Sequence, residues 1–275
     1  MKKYDIIIIG MGCAGIGTYL QAVKSTGKIL AIEKSEIGGS IVYAERVTNM
    51  PFLRNASGRD CVRLFKKQIG DKMKILQEEC LQIKECKDSV IVFTTNKSFR
   101  GRYAVVCTGR NFKKLNKHNI KLKTIHENPD NENVCIIGGG EIAVDRAVFL
   151  RRKKINVDII STGYFKNVNS ELMRRAEKMK INFFCGSSVK NIKEAESLTV
   201  RFLKENKMVS KSYSDVFVCI GTKANLPEII RKNSRIVYAG TVRDSLKRQC
   251  SIAFADGVKR AMEIEEKMRR EDENS

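Results

Sequence analysis

YDIIIIGMGCAGIGTYLQAVKSTGKILAIE, residues 4–33, decides how this chain is read. Residues 5–9 are rich in isoleucine, the pattern of a short strand buried on both faces. The run leads straight into Gly10-x-Gly12-x-x-Gly15. In such a loop one glycine makes the tight turn, one lets backbone approach a pyrophosphate, and one lets the next helix pack on the strand. Ile16, Tyr19, Leu20 and Val23 then recur at helical spacing, predicting a helix that stops near Gly27. Its N-terminus presents N–H groups and partial positive charge to phosphate. A second strand over residues 28–32 ends in Glu33, where a carboxylate accepts from both ribose hydroxyls of an adenosine. A lone GxGxxG is weak evidence, but strand, glycines, helix, strand and terminal acid in order indicate dinucleotide binding. Gly10, Gly12, Cys13, Ala14, Gly15 and Glu33 are therefore candidate binding residues.

The pattern then repeats. Residues 113–132 are polar and Lys-rich and read as a domain crossover. After a strand over residues 133–137 comes Gly138-Gly139-Gly140-Glu141-Ile142-Ala143, a GxGxxA loop, with Ala143, Ala147, Val148 and Leu150 suggesting its helix. A further strand is expected over residues 157–160. The repeat predicts an α/β fold with two Rossmann-like dinucleotide-binding domains, the second inserted into the first. Gly138, Gly140, Glu141 and Ile142 are the candidates at the second loop.

Five further segments stand in a telling order: Gly38-Gly39-Ser40, Asn49-Met50-Pro51, the YAVVCTG strand ending at Gly109, Ile220 to Asn225, and Ala239-Gly240-Thr241 with Arg248-Gln249-Cys250 beyond it. With the two loops they make the chain resemble the thioredoxin-reductase-like branch of the two-dinucleotide-domain FAD/NAD(P) flavoproteins. The resemblance implies a discontinuous FAD domain over residues 1–112 and 226–275, an NAD(P)-binding-like domain over 113–225, and a homodimer. It also implies FAD contacts at Gly39, Ser40, Asn49, Gly109, Gly240, Thr241, Arg248, Gln249 and Cys250. Arg248-Gln249 matches the pair that opens a helix aimed at the flavin in that family.

Three departures shape the expected chemistry. Nine cysteines occur, at 13, 61, 80, 86, 107, 135, 185, 219 and 250, and no two have CxxC spacing. The family's disulfide reductases need such a pair before the second loop, where this chain has His126-Glu127-Asn128-Pro129. Catalytic residues therefore stay unassigned, and the flavin ring itself is expected to carry the chemistry. Next, Ser161-Thr162-Gly163-Tyr164 replaces the basic cluster that grips a 2′-phosphate, and no acid takes its place. NAD(P)H use stays open and NADPH specificity is unsupported. Finally, Thr241 replaces an Asp, and losing one charge-assisted hydrogen bond costs roughly 1.5–3 kcal/mol, which weakens FAD binding without abolishing it.

A chain of 275 residues, 42% hydrophobic, has material for two cores. An odd cysteine count without metal-site spacing reads as reduced thiols in a cytoplasmic protein with no metal. Cys13 and Cys250 read either as thiols near the flavin or as small buried filler, and His118 and His126 as surface residues. No stretch approaches transmembrane length, so no membrane role is expected. The 52 basic against 31 acidic residues give a net charge of +21, spread along the chain. Without a nucleic-acid motif, this favours an acidic protein partner over nucleic acid. Ferredoxin–NADP reductases of the thioredoxin-reductase-like type also lack CxxC, which suggests ferredoxin or flavodoxin as the acidic electron carrier. The expected function is an FAD-dependent oxidoreductase passing electrons between a nicotinamide nucleotide or such a carrier and an unknown acceptor. The alternative is a non-catalytic FAD- or nucleotide-binding regulatory or scaffold protein; a third reading is a basic nucleic-acid-associated protein.

Overall fold

Ile6, Ile7 and Ile8 have no exposed surface and Ile9 only 2%, because their strand lies inside a sheet with neighbours on both sides. The structure, a computed structural model, describes residues 3–274 except 51, 52, 54, 55, 71, 72, 116–119, 121, 125, 126, 131, 232, 233 and 244–248. The elements begin β1 (Lys3–Ile9), α1 (Cys13–Ala22), β2 (Ile29–Ile32), α2 (Gly58–Ile69), β3 (Ile75–Leu76), β4 (Cys80–Glu85), β5 (Val90–Thr94), β6 (Ser98–Val106) and β7 (Arg110–Phe112). They continue β8 (Asn133–Ile137), α3 (Glu141–Arg152), β9 (Asn156–Ile160), α4 (Ser170–Lys178), β10 (Asn182–Phe184), β11 (Ser188–Glu194), β12 (Leu198–Lys204) and β13 (Lys207–Tyr213). The chain closes with β14 (Asp215–Val218), β15 (Thr222–Ala224), β16 (Glu228–Ile230), β17 (Ile236–Tyr238) and α5 (Cys250–Glu273).

The chain divides into two compact units, the first being residues 1–42, 46–111 and 224–275, the second residues 43–45 and 112–223. In the first, strands run in the order β16-β4-β5-β6-β1-β2-β3, with β17 also paired to β6. β1 is parallel to both β2 and β6, which is what crossover connections through helices require. β4, β5 and β6 form an antiparallel meander, with residues 95–97 turning the chain from β5 into β6. The second unit has a parallel sheet, β10-β9-β8-β14, and an antiparallel one, β11-β12-β13. β7 and β15, on the two crossing strands of chain, pair with each other.

Several local expectations change. α1 ends at Ala22, short of Gly27, in turns closed by Lys24 and Ser25 donating to Gln21 and Ala22. Ile16 and Tyr19 are buried as the spacing suggested, but Val23, just past the helix end, is 47% exposed. The helix also buries Cys13, Ala14, Gly17 and Thr18, because α5 packs along it. A Cβ at Gly17 would lie 2.3 Å from the Phe254 carbonyl oxygen, and one at Gly257 2.0 Å from that of Ala14. In α2, Cys61, Val62, Phe65 and Ile69 are buried, while Leu64 is 45% exposed. α4 is capped by Asn169, whose side chain accepts from Glu171 and Leu172, and Ser170 is its first helical residue. The crossover is not uniformly solvated: buried Lys123 pairs with Asp130 at 2.7 Å and Asp215 at 2.8 Å. His118 and His126 lie outside the described residues.

Candidate functional site

In the first unit the first glycine loop follows the carboxyl end of β1 and packs against the chain just beyond the carboxyl end of β6. Gly10 has φ +92°, and a Cβ there would lie 2.7 Å from the Cys107 carbonyl oxygen. One at Gly15 would lie 2.0 Å from the Gly10 carbonyl oxygen. Both glycines are thus demanded by the fold itself. Gly12 differs: it has φ −73°, and a Cβ there would meet nothing closer than 3.8 Å. Neither strain nor packing explains glycine at 12, and its open position leaves room for a close approach to the backbone. α1 starts there with no side-chain cap and no acid in its first turn, leaving its positive end uncompensated.

Glu33 is 8% exposed and anchored at the end of β2. Oε2 accepts the Met11 N–H at 2.7 Å, and Oε1 accepts the Ser35 N–H at 2.9 Å and its hydroxyl at 3.1 Å. A carboxylate offers about four acceptor positions, so about one remains for a ribose hydroxyl where the sequence reading expected two bonds. The cost is a ligand bond; the gain is a rigid carboxylate at the lip of the loop.

Other resemblance-derived positions gather around this loop and against one another. Gly38 N–H donates to the Met11 carbonyl at 2.7 Å, and a Cβ on Gly39 would lie 3.3 Å from Gly12 Cα. Ser40 follows in an exposed single turn. Asn49 Nδ2 donates to Gln249 Oε1, joining segments 200 residues apart. Gly109, at φ +66°, would place a Cβ 3.6 Å from Thr241 Oγ1, and one at Gly240 would lie 2.7 Å from Ala14 Cβ. Asp256 of α5, which the sequence did not single out, accepts the Gly240 N–H at 2.8 Å. Arg248 lies outside the described residues. Cys13 and Cys250 begin α1 and α5, and their sulfurs are 2.7 Å apart.

The second unit holds the second loop. Gly138 has φ +143°, and a Cβ there would lie 2.3 Å from the Cys219 carbonyl oxygen. A Cβ at Gly139 would lie 2.1 Å from Ser161 Oγ, so this serine fills the space above the loop and accepts the Gly163 N–H at 3.0 Å. Gly140 opens α3 with nothing within 4 Å of an added Cβ, the same open position as Gly12. Glu141, in the first turn, accepts the Asn169 N–H at 3.2 Å, and Ile142 is 37% exposed. A cluster missed from sequence stands nearby: Glu45, 6% exposed, receives Arg152 and Arg175 on its two oxygens and gives its N–H to Asp145 at 2.9 Å. Burial raises the Asp145 carboxyl to about 6. Burial also acts on Glu45, but its hydrogen bonds from Arg175 and Arg152 win and hold it below the usual range. Nothing in local spacing relates residue 45 to 145, 152 and 175.

With this geometry in hand, the sequence profile described as pyridine nucleotide-disulphide oxidoreductase matches residues 4–242. The chain belongs to that family. It is similar to the 34.2 kDa protein in the rubredoxin operon of Clostridium pasteurianum, at 25% identity over 96% of this chain and 97% of that one. It is 23% identical to thioredoxin reductase of Bacillus subtilis (strain 168), over 96% of this chain and 94% of the relative. Lactococcus lactis thioredoxin reductase (FR conformation) superposes with a TM-score of 0.83 at 21% identity, covering 95% of this chain and 97% of that one. The fold is therefore the two-dinucleotide-domain α/β fold, and this member of the pyridine nucleotide-disulphide oxidoreductases is an FAD-dependent oxidoreductase. The residues present fit the cofactor: the open position at Gly12, the uncapped α1 terminus and the anchored Glu33 together suit a dinucleotide. Among the described residues no helix is long and apolar enough to cross a membrane, and no cluster of histidine, cysteine and carboxylate side chains suits a metal ion.

Proposed function

We propose that this oxidoreductase passes electrons between a nicotinamide nucleotide or an acidic carrier of the ferredoxin or flavodoxin type and an acceptor reached without a CxxC pair. The carrying observation is that the first unit brings together the glycine loop, Gly39, the Asn49–Gln249 bond, Gly109 and Gly240-Thr241, in a chain with no CxxC spacing. FAD, when bound, supplies the hydride- and electron-transfer chemistry. The chain's own groups grip and orient it. Gly12 and the α1 N-terminus would take the pyrophosphate, Glu33 a ribose hydroxyl, and Asn49, Arg248 and Gln249 the flavin end. In the second unit Gly140, Glu141 and Ile142 take the nicotinamide nucleotide, more weakly than in relatives with a basic cluster, because Ser161 offers no charge to a 2′-phosphate.

The relative encoded in a rubredoxin operon supports a small iron-protein partner, and the net charge of +21 suits an acidic one. The domain assignment of residues 1–112 with 226–275 to FAD and 113–225 to the nicotinamide nucleotide, the homodimer and a cytoplasmic setting belong to the same reading. The test is spectroscopic. Purified protein should be yellow, and its flavin absorbance should bleach anaerobically with reduced ferredoxin or flavodoxin, or with NADH or NADPH. Protein that takes up no FAD on reconstitution refutes the cofactor role, and bound FAD that none of these reduces refutes the electron route. NADPH-dependent reduction of thioredoxin at rates of a disulfide reductase would refute the route that bypasses a CxxC pair.

A further inference from the structure

Thiol chemistry in this family is sought at CxxC, so a pair of cysteines 237 residues apart in sequence escapes any motif search. Cys13 is the first residue of α1 and Cys250 the first of α5, with 2.7 Å between their sulfurs. That separation is inside ordinary sulfur–sulfur contact and short of the ~2.05 Å of a disulfide, so the pair can be bonded by a small movement. Both helices start without a side-chain cap and without an acid in the first turn, so two uncompensated positive helix ends meet at the two sulfurs. Such ends favour thiolate over thiol.

The two cysteines are not equivalent. Cys13 is buried, and its hydrogen bond to Cys250 together with burial pushes its thiol well up. Cys250 is half-buried, and the hydrogen bond from Cys13 brings its thiol down. An accessible sulfur of lowered pKa over a buried partner of raised pKa is the division of labour that thiol–disulfide exchange needs. Cys61, fully buried in α2, feels the charge of Cys250 and is the one further thiol felt by this pair.

We infer that Cys13 and Cys250 form a reversible dithiol/disulfide couple that exchanges with small disulfides where α1 and α5 begin. The Cys250 thiolate attacks one sulfur of a disulfide RS–SR, forming a Cys250–S–SR bond and expelling RS⁻, which takes up a proton. Cys13 then loses its proton to solvent and attacks the Cys250 sulfur, forming the Cys13–Cys250 bond and expelling the second RS⁻. Two electrons pass from the two cysteine sulfurs to RS–SR, and the products are the internal disulfide and 2 RSH. The couple does not depend on the electron route proposed above, since both steps are thiol exchange.

The test uses the purified full chain, as isolated and after FAD loading, incubated with glutathione disulfide at graded ratios to glutathione. Peptide mapping without reductant should recover a Cys13–Cys250 cross-link that rises with the ratio and disappears with dithiothreitol, while the loss of titratable thiols equals two per chain at saturation. Cys13→Ser should trap one glutathione on Cys250, and Cys250→Ser should trap none on Cys13. Cys61→Ser should form the cross-link as the parent does. The inference is overturned if no ratio yields the cross-link in folded parent protein, if Cys61 replaces either partner in it, or if Cys13→Ser accumulates no mixed disulfide at residue 250. Circular dichroism of each variant confirms that the comparison is between folded proteins.

Discussion

A methyl group added at Gly15 would land 2.0 Å from the Gly10 carbonyl oxygen, whereas one at Gly12 would meet nothing closer than 3.8 Å. The two positions therefore separate folding from binding. Gly12→Val should fold with a loss of about 1 kcal/mol from its helix-capping position, yet retain no flavin after desalting. Gly15→Val should fail to fold. Absorbance near the flavin band and thermal melting read the two effects, and a yellow Gly12→Val protein would remove residue 12 from the pyrophosphate site. Asp145 makes a pH prediction. Its carboxyl rises from 3.8 to about 6 on burial, so between these values the folded chain holds a proton that the unfolded chain has lost. Stability from this group is present below pH ~4 and lost as pH rises through about 6. Asp145→Asn still accepts the Glu45 N–H and should gain about 2–3 kcal/mol over the parent at pH 8, with no gain at pH 3.5. Urea titrations at the two pH values check it; an equal effect at both would show that Asp145 is not held protonated.

Between α1 and α5 the seam is made of small residues, Ala14, Gly17 and Thr18 against Ala253, Gly257 and Ala261. Thr18 Oγ1 donates to the Ala14 carbonyl at 2.9 Å and to the Gly257 carbonyl at 3.2 Å, which needs close backbones. Gly257→Ala should cost about 1–3 kcal/mol through overpacking, at the upper end because the obstacle is backbone. The midpoint of urea unfolding measures it, and an unchanged midpoint would mean that the helices part without penalty. The cysteine pair sits at the head of this seam, so the variant should also slow formation of the Cys13–Cys250 cross-link. The spacing of Ile16, Tyr19, Leu20 and Val23 identified the helix and the burial of Ile16 and Tyr19, but missed the second buried face and the exposure of Val23. Apolar periodicity marks where burial is rewarded, but α5 came close on the side with the smallest side chains and left Val23 in water.

Over the whole molecule the net charge of +21 has a kinetic consequence. An acidic electron carrier should be steered to this surface, and steering acts on association rate more than on final affinity. Exposed charges more than about 8 Å apart are screened at physiological salt. The second-order rate of flavin reduction by a reduced acidic ferredoxin or flavodoxin should therefore fall at least tenfold between low and 0.5 M salt, roughly the span steering provides. Stopped-flow absorbance measures this, and a rate indifferent to salt would show that the charge serves another partner. Nucleic acid predicts salt-dependent binding too, but no change in flavin spectrum.

The order strand, glycines, helix, strand, closed by an acid in the first copy only, was enough by itself to specify two dinucleotide folds and their loops, because backbone turns and buried parallel strands tolerate few residue types. Local chemistry also placed Glu33, Gly12 and Gly140 at the loops that the structure builds. Other features needed the folded chain. Glu33 spends most of its acceptors on Met11 and Ser35; Ser161 fills the space above Gly139; and Glu45 finds Arg152 and Arg175. Cys13 and Cys250, which local sequence read as thiols near a flavin or as filler, become a pair at 2.7 Å. Apart from Glu33 with Ser35, each is a contact between residues well separated in sequence, and only the close approach of two helices or two loops, set by which side chains are small enough to permit it, brings such groups within bonding distance.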